Sequence, residues 1–200
     1  MINNVSFKSK INFVNRQTFL KTLPENSKFI NFTLESPLCE KGQDFYTTGV
    51  KTCSAGGLTD TKIGAAGFHL LDDIQNYYRI EGIWELIFKS LPVKPSNALL
   101  IGSKDQMGRP YSLKMFRKIK KILSEKVPNV SVFETHAKTM GATDCQYDLK
   151  TDTWTICTGF LDSKNKYSEV SCVDDLRKNF KNITLSKRDT LFINGEEVIL

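Results

Sequence analysis

The sequence predicts a mixed α/β fold, layered β-sheets with flanking helices, and three observations carry that expectation. Short apolar runs of strand length, such as "NALLIG" at 97–102 and "VSVFET" at 130–135, alternate along the chain with longer segments of helical periodicity. Turn residues interrupt strand-like runs in two places, at 150–152 within "CQYDLKTDTWTICTGF" and at Asn194-Gly195 within "TLFINGEEVIL". The 200 residues, 40% hydrophobic and 25% charged, contain no internal repeat or low-complexity linker and suffice for one core, so residues 1–200 read as a single domain.

Taken in order, "NRQTFLKTL" reads as a short helix. "SKFINFTL" alternates Phe29, Asn31 and Thr33 against Ile30, Phe32 and Leu34, as a strand does, and the region of Pro37 and Gly42 reads as loop. The stretch "TTGVKTCSAGGLTDTKIGAAGFHLLD", residues 47–72, suits two adjacent strands joined by a turn through Thr59, Asp60 and Gly64. "EGIWELIFKSL" carries Ile83, Trp84, Ile87 and Leu91 at helical spacing and stops at Pro92. "SLKMFRKIKKILSEK" repeats Leu113, Phe116, Ile119, Ile122 and Leu123 at helical spacing with Lys114, Arg117, Lys118 and Lys121 between them. Charged faces on surface helices are routine, so this basic face reads as solvated surface before it reads as a docking site. "VSVFET" gives a further strand, the segment around 150–152 a strand pair, "VDDLRKNFKN" a helix, and Asn194-Gly195 a hairpin whose two central residues tolerate positive φ.

Bulk properties exclude several function classes. No apolar run reaches membrane-spanning length, and "MINNVSFKSKINFVNRQ" lacks the apolar core of a secretory signal, so a cytoplasmic start and no membrane insertion are expected. The 28 basic and 22 acidic residues leave a net charge of +6, short of a nucleic-acid footprint, and no nucleic-acid partner is expected. Five cysteines, at 39, 53, 145, 157 and 172, are odd in number with no C-x-x-C spacing, which favours free thiols over disulfides or a zinc site. Asn182-Ile183-Thr184 matches a glycosylation sequon and reads as a chance match without a secretory signal.

The chemistry concentrates in 47–72. A cysteine is a useful nucleophile only as its thiolate, which needs a base or a positive potential, and His69, one of two histidines, stands sixteen residues after Cys53. If the two face the same side of a strand pair, they meet. Small residues at Ala55, Gly56, Gly57, Ala65, Ala66 and Gly67 leave room for a substrate side chain and for backbone N–H groups beside the thiol. Against this stands the plainer reading of a buried cysteine in a tightly packed strand pair, which spacing alone favours slightly. No P-loop and no G-x-G-x-x-G pattern competes, and the local papain signature is absent.

The run "CSAGGLTDTKIGAAGFHLLD" resembles the signature of the CheD family of chemoreceptor glutamine deamidases, with Cys53, Asp60, Ile63, Gly64 and His69 on the pattern. "NALLIGSKDQ" with its following helix and "MGATDCQYDLKTDTWTIC" extend the likeness over roughly 45–158. The same Cys-His core is shared by the cytotoxic necrotizing factors and the Burkholderia-type lethal factor, which deamidate host glutamines. The resemblance implies a CheD-like fold with Cys53 as nucleophile, His69 as base and Thr47, six positions before the cysteine, holding the imidazole, with Thr48 taking that place if the register differs by one. Ser54, Gly56 and Gly67 would line the oxyanion and substrate side, and Lys51 would favour a thiolate electrostatically. The partner implied is a protein carrying a target glutamine, no metal or organic cofactor is required, and the oligomeric state is unspecified. The additions outside 45–158 favour an effector delivered into a host cell without a cleavable signal over a chemotaxis enzyme. The alternative class is a noncatalytic module docking a partner through the helix at 112–126. His136, in "FETHAKT", is the rival base and reads as structural or solvent-exposed, and Cys39, Cys145, Cys157 and Cys172 as packing residues or inert thiols.

Overall fold

The computed structural model describes residues 9–30, 43–60, 64–103, 109–135, 141–161, 164, 166–170, 174–175, 183–184 and 190–198. They form a mixed α/β fold of three layers. A seven-stranded sheet has the order β14 (Glu196–Val198), β13 (Thr190–Ile193), β1 (Lys10–Phe13), β9 (Thr153–Cys157), β8 (Thr143–Asp148), β3 (Phe45–Val50), β2 (Lys28–Phe29). A five-stranded sheet has the order β12 (Ile183–Thr184), β7 (Asn129–Thr135), β6 (Asn97–Ser103), β4 (Ser54–Asp60), β5 (Gly64–Leu70). Both are mixed: β1 runs parallel to β9 and β13, and β6 parallel to β7, while β4 is antiparallel to both its neighbours. A small ribbon pairs β10 (Gly159–Leu161) with β11 (Tyr167–Glu169).

Alternation along the strands decides what each face meets. Inward residues of the five-stranded sheet, Ala55, Leu99, Ile101 and Phe133, join Phe13, Phe45, Tyr147, Trp154 and Ile156 of the other sheet in one core. The residues between them, Leu58, Phe68 and Leu100, point the other way, onto helices α2 (Ile74–Ser90) and α3 (Ser112–Lys126), where Trp84, Phe116 and Ile119 complete a second core. Helix α1 (Arg16–Thr22) lays Phe19 over Val14 and Cys157. The α3 crossover links the parallel strands β6 and β7, as parallel pairing requires.

Several expectations are adjusted. Helix α2 begins seven residues earlier than "EGIWELIFKSL", capped by Asp73, whose carboxylate accepts from the Asn76 N–H at 2.7 Å. Its first turns leave Ile74 and Tyr78 exposed, so they break the apolar periodicity a sequence reading relies on. Thr59 and Asp60, expected in a turn, lie in β4, with Asp60 paired to Gly64, because the strand pairing continues to that point. The expected helix at 173–182 lies outside the described residues except for 174–175, and the strand residues after Ile30 and the loop at Pro37 and Gly42 lie outside them entirely. The lysines of α3 are partly engaged locally, Lys118 with Glu81 at 3.2 Å and Lys120 with Glu134 at 3.1 Å.

Candidate active site

Cys53 sits where the chain passes from one sheet to the other. Strand β3 leaves regular pairing with β8 between Thr47 and Val50, and Gly49 takes the left-handed conformation there (φ 76°), with its N–H donating to the Asp144 carboxylate at 2.9 Å. Asp144 is itself paired with Arg16 at 2.8 Å. Residues 51–53 then bend across to β4 and are pinned through their carbonyls, that of Lys51 accepting from the Thr135 hydroxyl at 3.2 Å and that of Thr52 from the Ser112 hydroxyl at 2.7 Å. The ends of β7 and α3 therefore fix the backbone that presents the thiol.

His69 lies opposite Ala55 in the β4–β5 pairing, and Cys53 stands in the bend one residue before β4. The imidazole is held from the seven-stranded sheet. Thr47 Oγ1 is 2.7 Å from His69 Nδ1 and 2.6 Å from the Ile30 carbonyl oxygen. A hydroxyl has one proton and a carbonyl can only accept, so Thr47 donates to Ile30 and accepts from Nδ1–H. The neutral ring then carries its proton on Nδ1 and its basic lone pair on Nε2. Burial pushes the imidazole pKa down to about 4, so the ring is neutral near pH 7.

The thiol is 9% exposed, and its pKa is pushed up to about 11, first by burial and then by the negative charge of Asp72. The backbone N–H groups of Asp72 and of Cys53 itself face the sulfur and oppose that rise, as does the Arg109 guanidinium. Asp72 follows β5, where the Asn76 side chain donates to the Leu71 carbonyl at 3.1 Å and so locks the strand to α2. Its carboxylate is fully buried, with Arg109 at 3.4 Å from one oxygen. Near pH 7 the thiol and the imidazole are therefore both neutral.

Of the residues expected at the site, Thr47 meets His69 across the two sheets, and it is Thr47, not Thr48, that reaches the ring, while Cys53 lies in the bend just before β4. Ser54 points its side chain away from the thiol, onto the helical face, because strand neighbours alternate. The expected opening at Gly67 is corrected. A Cβ there would collide with Ile30 Cδ1 and lie 2.7 Å from Phe45 Cδ2, so its smallness lets the sheets approach. At Gly56 the backbone itself requires glycine, since its φ of 139° and the Leu99 carbonyl against it leave no place for a side chain. The cation acting on the thiol is Arg109, in place of Lys51. Cys145 and Cys157 are free, buried thiols, both raised by burial, Cys157 to about 11. His136, Cys39 and Cys172 lie outside the described residues.

Sequence reasoning missed Asp72, Arg109, Ser112, Thr135 and Asp144. Asp72 stood in the quoted run three residues after His69, but the partners of the other four are 37 to 95 positions away, beyond any local pattern. Among the described residues no group of three or more His, Cys, Asp or Glu is arranged to hold a metal. No helix among them is long and apolar enough to cross a membrane. No known family model matches the chain, and no curated protein matches it.

Proposed function

We propose that the chain is a protein-glutamine deamidase of the CheD-like kind, with Cys53 as nucleophile, His69 as base and Thr47 as the group that orients it. The observation that carries the reading is the Thr47 hydroxyl, which donates to Ile30 and thereby compels His69 to keep its proton on Nδ1 and its lone pair on Nε2. A packing histidine has no need of a fixed tautomer, whereas a general base does. In the proposed reaction the thiol proton passes to Nε2 as sulfur attacks the glutamine side-chain carbonyl carbon. The same proton then goes to the departing nitrogen, which leaves as ammonia, and water hydrolyses the thioester to glutamate and restores the thiol. The N–H groups of Cys53 and Asp72 that face the sulfur are the available oxyanion donors, and such a donor is worth about 2.7–4 kcal/mol in a transition state.

The proposed role is that of an effector acting on a host protein. Residues outside 45–158 supply β1, β2, β13 and β14 and so widen the seven-stranded sheet well beyond the core of the resemblance, which is surface available for a different target. Incubation of candidate host proteins and chemoreceptors with the protein, followed by mass spectrometry for amide-to-acid conversion, tests the reading with Cys53→Ser as control. Conversion lost in Cys53→Ser supports it. Binding of a partner by both forms with no conversion would make the chain a noncatalytic module.

A further inference from the structure

We propose that Asp72 recognises the –NH2 end of a primary carboxamide offered to Cys53, accepting a hydrogen bond from it through the carboxylate oxygen that Arg109 does not meet. The inference rests on the deamidase reading and names the residue that makes the site selective for an amide. Asp72 is 4% exposed and its side chain is fully buried. Arg109 approaches Oδ1 at 3.4 Å from a side chain that is 60% exposed, and Oδ2 is buried with no hydrogen-bond partner among the described residues. A buried carboxylate oxygen without a partner is costly and calls for a donor.

The position of this oxygen gives that donor an identity. The Asp72 N–H faces the Cys53 sulfur, and the carboxylate is close enough to act on the thiol by its charge. That charge opposes ionisation of the sulfur, so it does not serve to activate the nucleophile. A carboxamide presents one acceptor, its oxygen, and two donors on nitrogen. One residue answers both ends, with its N–H on the oxygen side and its carboxylate on the nitrogen side. The product carboxylate carries a negative charge and no N–H, so Asp72 repels it and favours its release. No proton moves to Asp72, which accepts a hydrogen bond and nothing more.

Alkylation tests this without a known protein substrate. Iodoacetamide places a primary carboxamide next to the carbon that sulfur attacks, and 2-iodo-N,N-dimethylacetamide offers the same carbon with no N–H. The ratio of their rates at Cys53, divided by the same ratio for glutathione, is expected to be about tenfold or more in the wild-type protein, the effect of one hydrogen bond to a charged group. Asp72→Ala should bring it to one. Asp72→Asn, similar in shape and keeping one acceptor oxygen, should give a value between, and serves if the alanine variant does not fold. A ratio of one in the wild type, or a preference that persists in both variants, overturns the assignment. Preserved amide preference together with no deamidation of any protein would support Asp72 and count against the reaction proposed above.

Discussion

At the scale of single residues, the site is defined by what burial does to two titratable groups. His69 loses solvation as an imidazolium, so the folded protein binds its proton with a pKa of about 4 against about 6.5 when unfolded. Between those values the unfolded chain holds more protons, and stability is lost as pH falls through that window, by up to about 3 kcal/mol. Urea denaturation of the wild type and of His69→Gln at pH 7, 5 and 4 should show a loss in the wild type that the variant lacks. Thr47→Val removes the acceptor and leaves a buried Nδ1–H unpaired, which costs about 1–3 kcal/mol. It should also slow the proposed deamidation substantially, with Thr47→Ser retaining more because it keeps the oxygen, while a Thr47→Val variant as fast as wild type would show that another group holds the ring. Cys53, at 9% exposure against 0% for Cys145 and 2% for Cys157, should be the fastest of these three toward iodoacetamide in the folded protein. Its rate should climb with pH up to about 11, and equal labelling of the three by peptide mapping would contradict the greater accessibility of Cys53.

At the scale of elements, the glycine-alanine character of β4 and β5 is a packing device that also carries the site. Gly57 and Gly67 are paired across the strands, and above them Ile30, Phe45 and Trp154 fill the space that side chains there would take. That close approach brings Thr47 of one sheet within hydrogen-bond distance of His69 of the other. Gly67→Ala should therefore do two things. Overpacking should cost about 1–3 kcal/mol in thermal or urea unfolding. The sheets should separate at the Thr47–His69 contact, so activity should fall beyond what the lost stability explains, and a variant with reduced stability but unchanged turnover would separate packing from catalysis.

At the scale of the whole molecule, the first strand, β1, and the late strand β13 belong to the core. β1 lies between β9 and β13, and Ile11, Phe13, Leu191 and Ile193 share one cluster with Phe45, Tyr147 and Trp154. A fragment of residues 45–158, which contains Thr47, Cys53, His69 and Asp72, would expose an edge at β9 and part of that cluster. It should fail to unfold cooperatively in a calorimeter, whereas the full chain should give one transition. Two transitions in the full chain would break the single-domain reading.

The sequence by itself determined the local features: helix α3, the β8–β9 pair, the Asn194-Gly195 hairpin and the strand-turn-strand that carries Cys53 and His69. Each rests on periodicity or turn chemistry within about 15 residues, which a single chain displays directly. It also pointed to Thr47, through a resemblance. What the tertiary structure alone decided is which small residues serve packing, that Thr47 and not Thr48 meets the imidazole, and that the charges of Asp72 and Arg109 act on the thiol. Those contacts join residues on different elements, many of them in different sheets. They form only when two cores close, and no spacing along the chain encodes that closure.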